Sequence, residues 1–164
     1  MALQRDYPGQ VCSVASALEV VGERWTLLIV RDLLLGLRRF DELQADLGVA
    51  RNVLQARLEL LVAHGVVERR PYQERPPRHE YRLTPKGEDL APVLHALMRW
   101  GDAHAPRPGG PPVLVEHRGC GGAVDAHWRC SRCGRDLGPG DAEAVPGPGA
   151  GPDHPVRLAA ASAA

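Results

Sequence analysis

From Pro106 to Ala164 the chain carries 9 prolines and 11 glycines in 59 residues, about a third of that stretch. Such a density cannot sustain long helices; it belongs to linkers, tight knuckles or unstructured tails. Residues 1–105 hold only 6 of the 15 prolines and show dense apolar periodicity. A chain of 164 residues is long enough for one ordinary domain, or one with a small appendage. The expected division is a folded domain over 10–105, a linker over 106–112, a compact knuckle over 113–138 and a disordered Pro/Gly/Ala-rich tail over 139–164. No internal repeat is visible.

Charge and hydropathy exclude several classes. Lys+Arg and Asp+Glu are both 20, so the formal net charge is zero. A zero sum says nothing about how charge is distributed, and nucleic-acid binding stays open. Aromatic residues make up only 4%, which argues against a stacking platform for single strands. Apolar runs reach only Leu27–Val30, far short of the roughly 20 residues that span a bilayer. The N-terminus shows no charged start followed by an apolar stretch, so no secretory signal is expected. Membrane protein and secreted disulfide scaffold both drop out, and a cytoplasmic protein is expected. Lys86 is the only lysine, against 19 arginines. Codon bias in a GC-rich genome explains that balance, so a single arginine carries little weight.

Periodicity orders the first part. Val14, Leu18 and Val21 stand at helical spacing over residues 13–21, up to Gly22. Residues 23–35 follow, apolar on most faces, which marks a central core helix ended by Gly36. A short helix is expected over 41–47, with Asp41 as its cap and Gln44 as the capping-box partner. Gly48-Val49-Ala50 reads as a turn. Residues 51–64 form an amphipathic helix with Leu54, Leu58, Leu61 and Val62 on one face and Arg51, Asn52, Gln55 and Glu59 on the other. Gly65 stops it. Two strands, 66–70 and 79–83, flank a tip at 73–78 whose prolines cannot donate to a ladder. Thr84-Pro85 caps a last helix running to about His104, in which Pro92 predicts a kink or break.

Short helix, three-residue turn, amphipathic helix and two-stranded hairpin is the order of a winged helix-turn-helix. The fold class is therefore mainly α with a small β-hairpin wing, plus a small C-terminal zinc-knuckle module. The second helix of such a motif lies in the major groove with its first polar residues at the base edges. Here those are Arg51, Asn52 and Gln55. Arginine pairs bidentately with guanine, and asparagine or glutamine with adenine. Arg57, nearer the core edge, contacts a phosphate or makes an internal pair. Arg75 and Arg78 at the hairpin tip can reach phosphates or a minor groove. From Arg51 to Arg82 there are 7 arginines and 4 glutamates, a local +3 in a neutral chain. Against this, a solvated helix face is ordinary, and helix plus hairpin occurs in many folds.

The stretch from Cys12-Ser13-Val14-Ala15 through Val21-Gly22-Glu23-Arg24-Trp25-Thr26-Leu27-Leu28-Ile29 to Arg31-Asp32-Leu33 resembles the opening of the HxlR-type transcriptional regulators. Arg38-Arg39-Phe40, Leu54-Gln55-Ala56-Arg57-Leu58 and Gly65-Val66-Val67-Glu68-Arg69 also match, as does Pro77 through Gly87. The resemblance covers about residues 10–105. It implies a homodimeric regulator that binds inverted-repeat operators in double-stranded DNA as repressor or activator. Its terminal helices would make the dimer, consistent with an apolar seam of Leu90, Val93, Leu94 and Leu97. Two positions depart from the family pattern. Ala50-Arg51 stands where Ser-Pro usually opens the recognition helix, and alanine is a poor cap, costing roughly 1 kcal/mol against serine. Ser13 stands where proline is common.

The four cysteines divide one and three. Cys12 falls just ahead of the first helix, where N–H groups and the dipole can lower a thiol pKa. The resemblance implies a sensor of oxidants or reactive carbonyls at this position; the other reading is a small buried residue packing a dimer interface. His117-Arg-Gly-Cys120 and Cys130-Ser-Arg-Cys133 are two chelating pairs with the knuckle spacing of one structural zinc site, and Gly121 and Gly134 follow them. Three thiolates and one imidazole make a closed structural set. His127 competes with His117 as the fourth ligand. A reduced cysteine pair with incidental histidines is the plain alternative, and a thioredoxin-like role lacks its βαβ surroundings.

Together these features point to a DNA-binding regulator that answers a small-molecule, electrophile or redox signal. The rival is a winged-helix protein-interaction module docking through its zinc knuckle. No Ser/His/Asp order, phosphate loop or open metal site with a candidate base suggests an enzyme.

Overall fold

The computed structural model describes residues 7–157. Six helices and two small sheets are found there: α1 (Ser13–Val21), α2 (Thr26–Leu35), α3 (Phe40–Leu47), α4 (Arg51–Ala63), β1 (Val67–Gln73), β2 (Arg78–Leu83), α5 (Pro85–Glu88), α6 (Ala91–His104), β3 (Trp128–Arg129) and β4 (Asp136–Leu137). A 3₁₀ turn, Pro139–Asp141, follows.

Helix α2 is the central element. Ile29 and Val30 are fully buried, with Leu33 beside them. Around them pack Leu43 and Leu47 of α3, Leu54, Leu58 and Leu61 of α4, Val66 and Val67 entering β1, Tyr81 of β2 and Leu94 of α6. Each such side chain contributes about 1.5–3 kcal/mol when fully removed from water. The helix starts at Thr26, three residues later than the sequence predicts, because Trp25 takes a left-handed conformation with φ 80°. Its end follows expectation. Gly36 adopts φ 100°, its N–H bonds the Leu33 carbonyl, and Leu37 N–H bonds that of Asp32. Both bonds satisfy carbonyls that a helix end leaves open.

The cap of α3 is not the one predicted. Phe40 already belongs to the helix, which makes Arg39 the capping position and Glu42 the third residue. The Glu42 carboxylate accepts the N–H groups of Arg38 at 3.1 Å and Arg39 at 2.9 Å. Those bonds hold its carboxyl below the usual carboxylate range, the Arg39 bond contributing most. Asp41 is one residue inside the helix, and Gln44 instead donates to the Val49 carbonyl across the turn, at 3.3 Å.

In α4, Leu54, Leu58 and Leu61 face inward as the spacing predicts, whereas Val62 is exposed. No side chain caps its first turn, as Ala50 implies. At the other end the Lys86 ammonium donates to the His64 carbonyl at 2.8 Å, placing the chain's one lysine on the negative end of the helix.

The hairpin is antiparallel, with Val67 opposite Leu83 and Arg69 opposite Tyr81. β1 runs three residues beyond the predicted strand and takes in Pro71, opposite His79, before the register shifts at Gln73. Proline is tolerated there because β1 is an edge. On the other side of β2, Tyr81 N–H bonds the Arg38 carbonyl at 2.7 Å and Arg39 bridges to Glu80. The approach to α3 thereby joins the sheet.

The break at Pro92 is found: α5 ends at Glu88 and α6 starts at Ala91, with the proline in its first turn. Thr84 caps α5 by accepting the Gly87 N–H at 3.2 Å, and its hydroxyl donates to Gly65 O at 2.6 Å. A Cβ at Gly87 would collide with the Val66 carbonyl, so only glycine lets this turn lie against the strand. The seam is reassigned in part. Leu94 is buried and Leu90 half-buried against the chain's own core, leaving Val93 and Leu97 outward.

Beyond Ala105 no described residue is buried. Residues 158–164 of the expected tail lie outside the described residues. Within its first part, His154 Nε2 approaches the Val11 carbonyl at 2.8 Å. No helix among the described residues is long and apolar enough to cross a membrane.

Candidate nucleic-acid interface

Because α3, the turn and α4 are fixed by the core, the first turn of α4 stands clear of the domain beside the hairpin. Arg51 and Asn52 are exposed there. The Arg51 guanidinium lies over the Phe40 ring, 4.6 Å from its centroid. Such stacking restrains the arginine while leaving its donors outward. Gln55, half-buried one turn on, donates to Glu59 at 2.6 Å.

Between this helix end and the hairpin runs an open groove with a volume of ≈ 460 Å³. Arg39, Arg51, Arg69 and Arg78 all line it, with Gln55, Tyr72 and the carboxylates of Asp41 and Glu42, the latter 4.0 Å from Arg39. The Arg39 guanidinium sits 5.1 Å from the Tyr72 ring centre, and Arg69 is 2.9 Å from His79 Nδ1. Burial raises the Tyr81 hydroxyl above its ordinary pKa and keeps it neutral at the floor of the groove. Four arginines against two carboxylates leave the furrow net positive, the sign that suits a phosphate backbone.

Arg57, Arg70 and Arg82 are neutralised within the domain. Arg57 turns inward: its Nη2 is 2.7 Å from the Glu23 carboxylate and its Nε donates to the Arg24 carbonyl at 3.1 Å. The internal pair, one of the two roles expected for it, is present. Arg70 is bound by Glu68 and Arg82 by Glu80, each at 2.6 Å. Arg75 and Arg78 are exposed at the hairpin tip and, among the described residues, form no ion pair. The sequence reading missed Arg39, Arg69 and Tyr72. Strand alternation held the signal for Arg69, since Arg69 and Tyr81 are opposite one another and share a face.

A profile of the HxlR-like helix-turn-helix family matches residues 20–108. The chain belongs to the HxlR-like helix-turn-helix family. It is 47% identical over 137 residues to the HTH-type transcriptional regulator Rv3095 of Mycobacterium tuberculosis, covering 84% of this chain and 87% of that protein. Among solved structures, PA1607, described as a transcription factor, matches with a TM-score of 0.73 at 40% identity, over 84% of this chain and 96% of that one. The redox regulator HypR in its oxidised form matches with a TM-score of 0.53 at 31% identity, over 57% of this chain and 97% of that one. As an HxlR-like protein, this chain is a DNA-binding transcriptional regulator.

The remaining predicted residues lie away from the groove. Cys12 is exposed at the capping position of α1, with an extended backbone, and its carbonyl accepts the Ser16 N–H at 3.0 Å. Within one chain it packs against no core, so the buried reading would need a second copy. His117 and Cys120 lie together, Nδ1 to Sγ 3.2 Å. At the second pair, the backbone N–H groups of Cys133 and Arg132, and then the Cys133 thiol, hold the Cys130 thiol below its ordinary pKa. All four cysteines are free. Among the described residues, no three His, Cys, Asp or Glu side chains are gathered into one metal-holding group.

Proposed function

We propose that this regulator acts as a homodimer on an inverted-repeat operator, and that a small-molecule or redox signal sets its occupancy. The observation that carries the reading is the sorting of charge around α4. Acidic partners occupy Arg57, Arg70 and Arg82, while Arg39, Arg51, Arg69 and Arg78 converge on one groove in which they outnumber the carboxylates of Asp41 and Glu42. Arg51 and Asn52 would meet base edges, and Arg75 and Arg78 the flanking backbone.

A dimer is supported by an apolar stripe on α6. Val93, Leu97 and Trp100 stand at i, i+4 and i+7 and are 48%, 49% and 63% exposed. Val14 and Leu18 on α1 are exposed as well. Two copies joined through these helices would present two α4 helices, as a two-fold symmetric operator requires. A signal would act by changing the separation of those helices. Exposed Cys12 at the start of α1 supports a redox or electrophile signal, and the likeness to HypR is in keeping with it. The role is one of binding rather than catalysis, in the cytoplasm where the promoters are.

The test is binding to the DNA upstream of its own gene. Nanomolar-range affinity for a palindromic fragment that falls steeply with salt supports the reading. No measurable affinity at about 50 mM salt overturns it in favour of a protein-docking module.

A further inference from the structure

Residues 113–138 lack what normally holds a chain folded. None of their side chains is buried, yet the backbone turns back on itself twice. In the first turn Glu116 bridges Ala123, His117 N–H bonds Gly122 O at 2.8 Å, and Val124 N–H bonds Val115 O at 2.9 Å. In the second, Trp128 and Arg129 pair with Leu137 and Asp136, and Cys130 N–H bonds Arg135 O at 2.9 Å.

The two turns follow one plan. In each, the carbonyl of the first ligand-type residue accepts the N–H of a glycine four residues on: Gly121 to His117 at 2.8 Å and Gly134 to Cys130 at 2.9 Å. Both glycines have φ 71°, the left-handed region. His117 and Cys130 are thus equivalent, as are Cys120 and Cys133. Sequences as different as His-Arg-Gly-Cys-Gly and Cys-Ser-Arg-Cys-Gly are bent alike around a pair of metal-ligand side chains.

We propose that these two turns are half-sites for one structural zinc ion, held by His117, Cys120, Cys130 and Cys133. Three thiolates and a neutral imidazole form a closed tetrahedral set that suits zinc and leaves no position for substrate. The His117 to Cys120 separation of 3.2 Å is close to the about 3.5 Å expected between nitrogen and sulfur on one tetrahedral zinc.

His127 is the poorer fourth ligand. It lies 3.6 Å from Asp125, which also binds Arg99 at 3.2 Å, and it has no place in either turn. The two pairs are not gathered into one group in this structure, and no buried side chain lies within residues 113–138 to hold them apart. A module this small needs a staple in place of a core. On binding, zinc displaces the three thiol protons to solvent, and no oxidant is involved.

The proposal is independent of DNA binding. The full chain, purified without chelator or reductant-stripped metal, is assayed for zinc by plasma mass spectrometry. The expected content is about one zinc per chain, falling below about 0.2 in Cys130→Ser and His117→Gln and unchanged in Cys12→Ser and His127→Gln. Refilling with cobalt(II) should give the visible bands of a tetrahedral thiolate site. Chelation should speed tryptic cleavage after Arg129, Arg132 and Arg135 while leaving the helical circular dichroism of residues 10–105 in place. Less than about 0.2 zinc in the unmutated chain, or a Cys130–Cys133 disulfide in its place, overturns the proposal. Loss of zinc in His127→Gln but not in His117→Gln overturns the assignment of the fourth ligand.

Discussion

Arg57 of α4 and Glu23, just before α2, meet at 2.7 Å, and the same guanidinium donates to the Arg24 carbonyl. The pair ties the second half of α4 to the start of the central helix. With the Arg57 side chain 16% exposed, this arginine belongs to the scaffold, whereas Arg51 six residues earlier belongs to the groove.

The two positions should therefore separate in experiment. Arg57→Ala is expected to lower stability by about 1–3 kcal/mol, the cost of losing hydrogen bonds to a charged group that water partly screens. Its DNA affinity, measured well below the melting transition, should be nearly unchanged. Arg51→Ala should do the reverse, weakening binding by about 1–3 kcal/mol and relaxing preference at one base position. Urea melts and fluorescence anisotropy on the same preparations check both. A large affinity loss in Arg57→Ala would return that residue to the interface.

Arg75 and Arg78 act, on this reading, through phosphate and not through base edges. Replacing either with alanine should weaken operator and non-operator DNA alike and reduce the slope of log K against log salt by about 1. Titrations at several salt concentrations measure this. A change confined to the operator would instead place that arginine on a base.

How far the sequence foretold these elements depends on the range of the signal. Leu54, Leu58 and Leu61 were legible because helical periodicity reports a buried face directly. Thr84-Pro85 and the break at Pro92 were legible because proline acts on its own backbone. Helix boundaries were not. The cap of α3 passed from Asp41 to Arg39 and Glu42 because Arg39 is held extended by its bridge to Glu80, a partner 41 positions away. Arg69 escaped for the same reason: the groove exists only once hairpin and helix face each other. Within α6, periodicity found the apolar residues but could not divide them between the chain's own core and a second copy.

The capping bonds of Glu42 give α3 a pH dependence of definite sign. Its folded carboxyl lies below the ordinary value of 4.5, so its contribution is present above that pH and lost as pH falls through the folded pKa. Glu42→Gln still accepts the Arg38 and Arg39 N–H groups without titrating. Between about pH 5 and pH 3 the melting temperature of this variant should fall less steeply than that of the unmutated protein. Parallel slopes would show that the cap does not couple to folding.

The stripe of Val93, Leu97 and Trp100 tests the dimer directly. Leu97→Asp would set a charge in the middle of a two-fold apolar contact, where it finds no partner. Sedimentation should show dimer for the unmutated chain and monomer for the variant at micromolar concentration. Because Leu97 is not part of the core, helical content should stay the same. The monomer should lose most of its preference for an inverted repeat over a single half-site, since the gain from linking two sites disappears.

Cys12 should report the signal if the regulator is redox-controlled. Its thiol is exposed at the capping residue just before α1, the helix that carries the outward Val14 and Leu18. Oxidation or alkylation there would put a polar or bulky group beside the α1 face that a second copy would cover. The unmutated protein should lose or gain operator affinity after treatment with hydrogen peroxide or a quinone, and Cys12→Ser should not respond. The knuckle cysteines serve as the internal control, because Cys130→Ser should keep the response. An identical response in Cys12→Ser would move the sensor elsewhere, with Cys120, Cys130 and Cys133 as the remaining thiols.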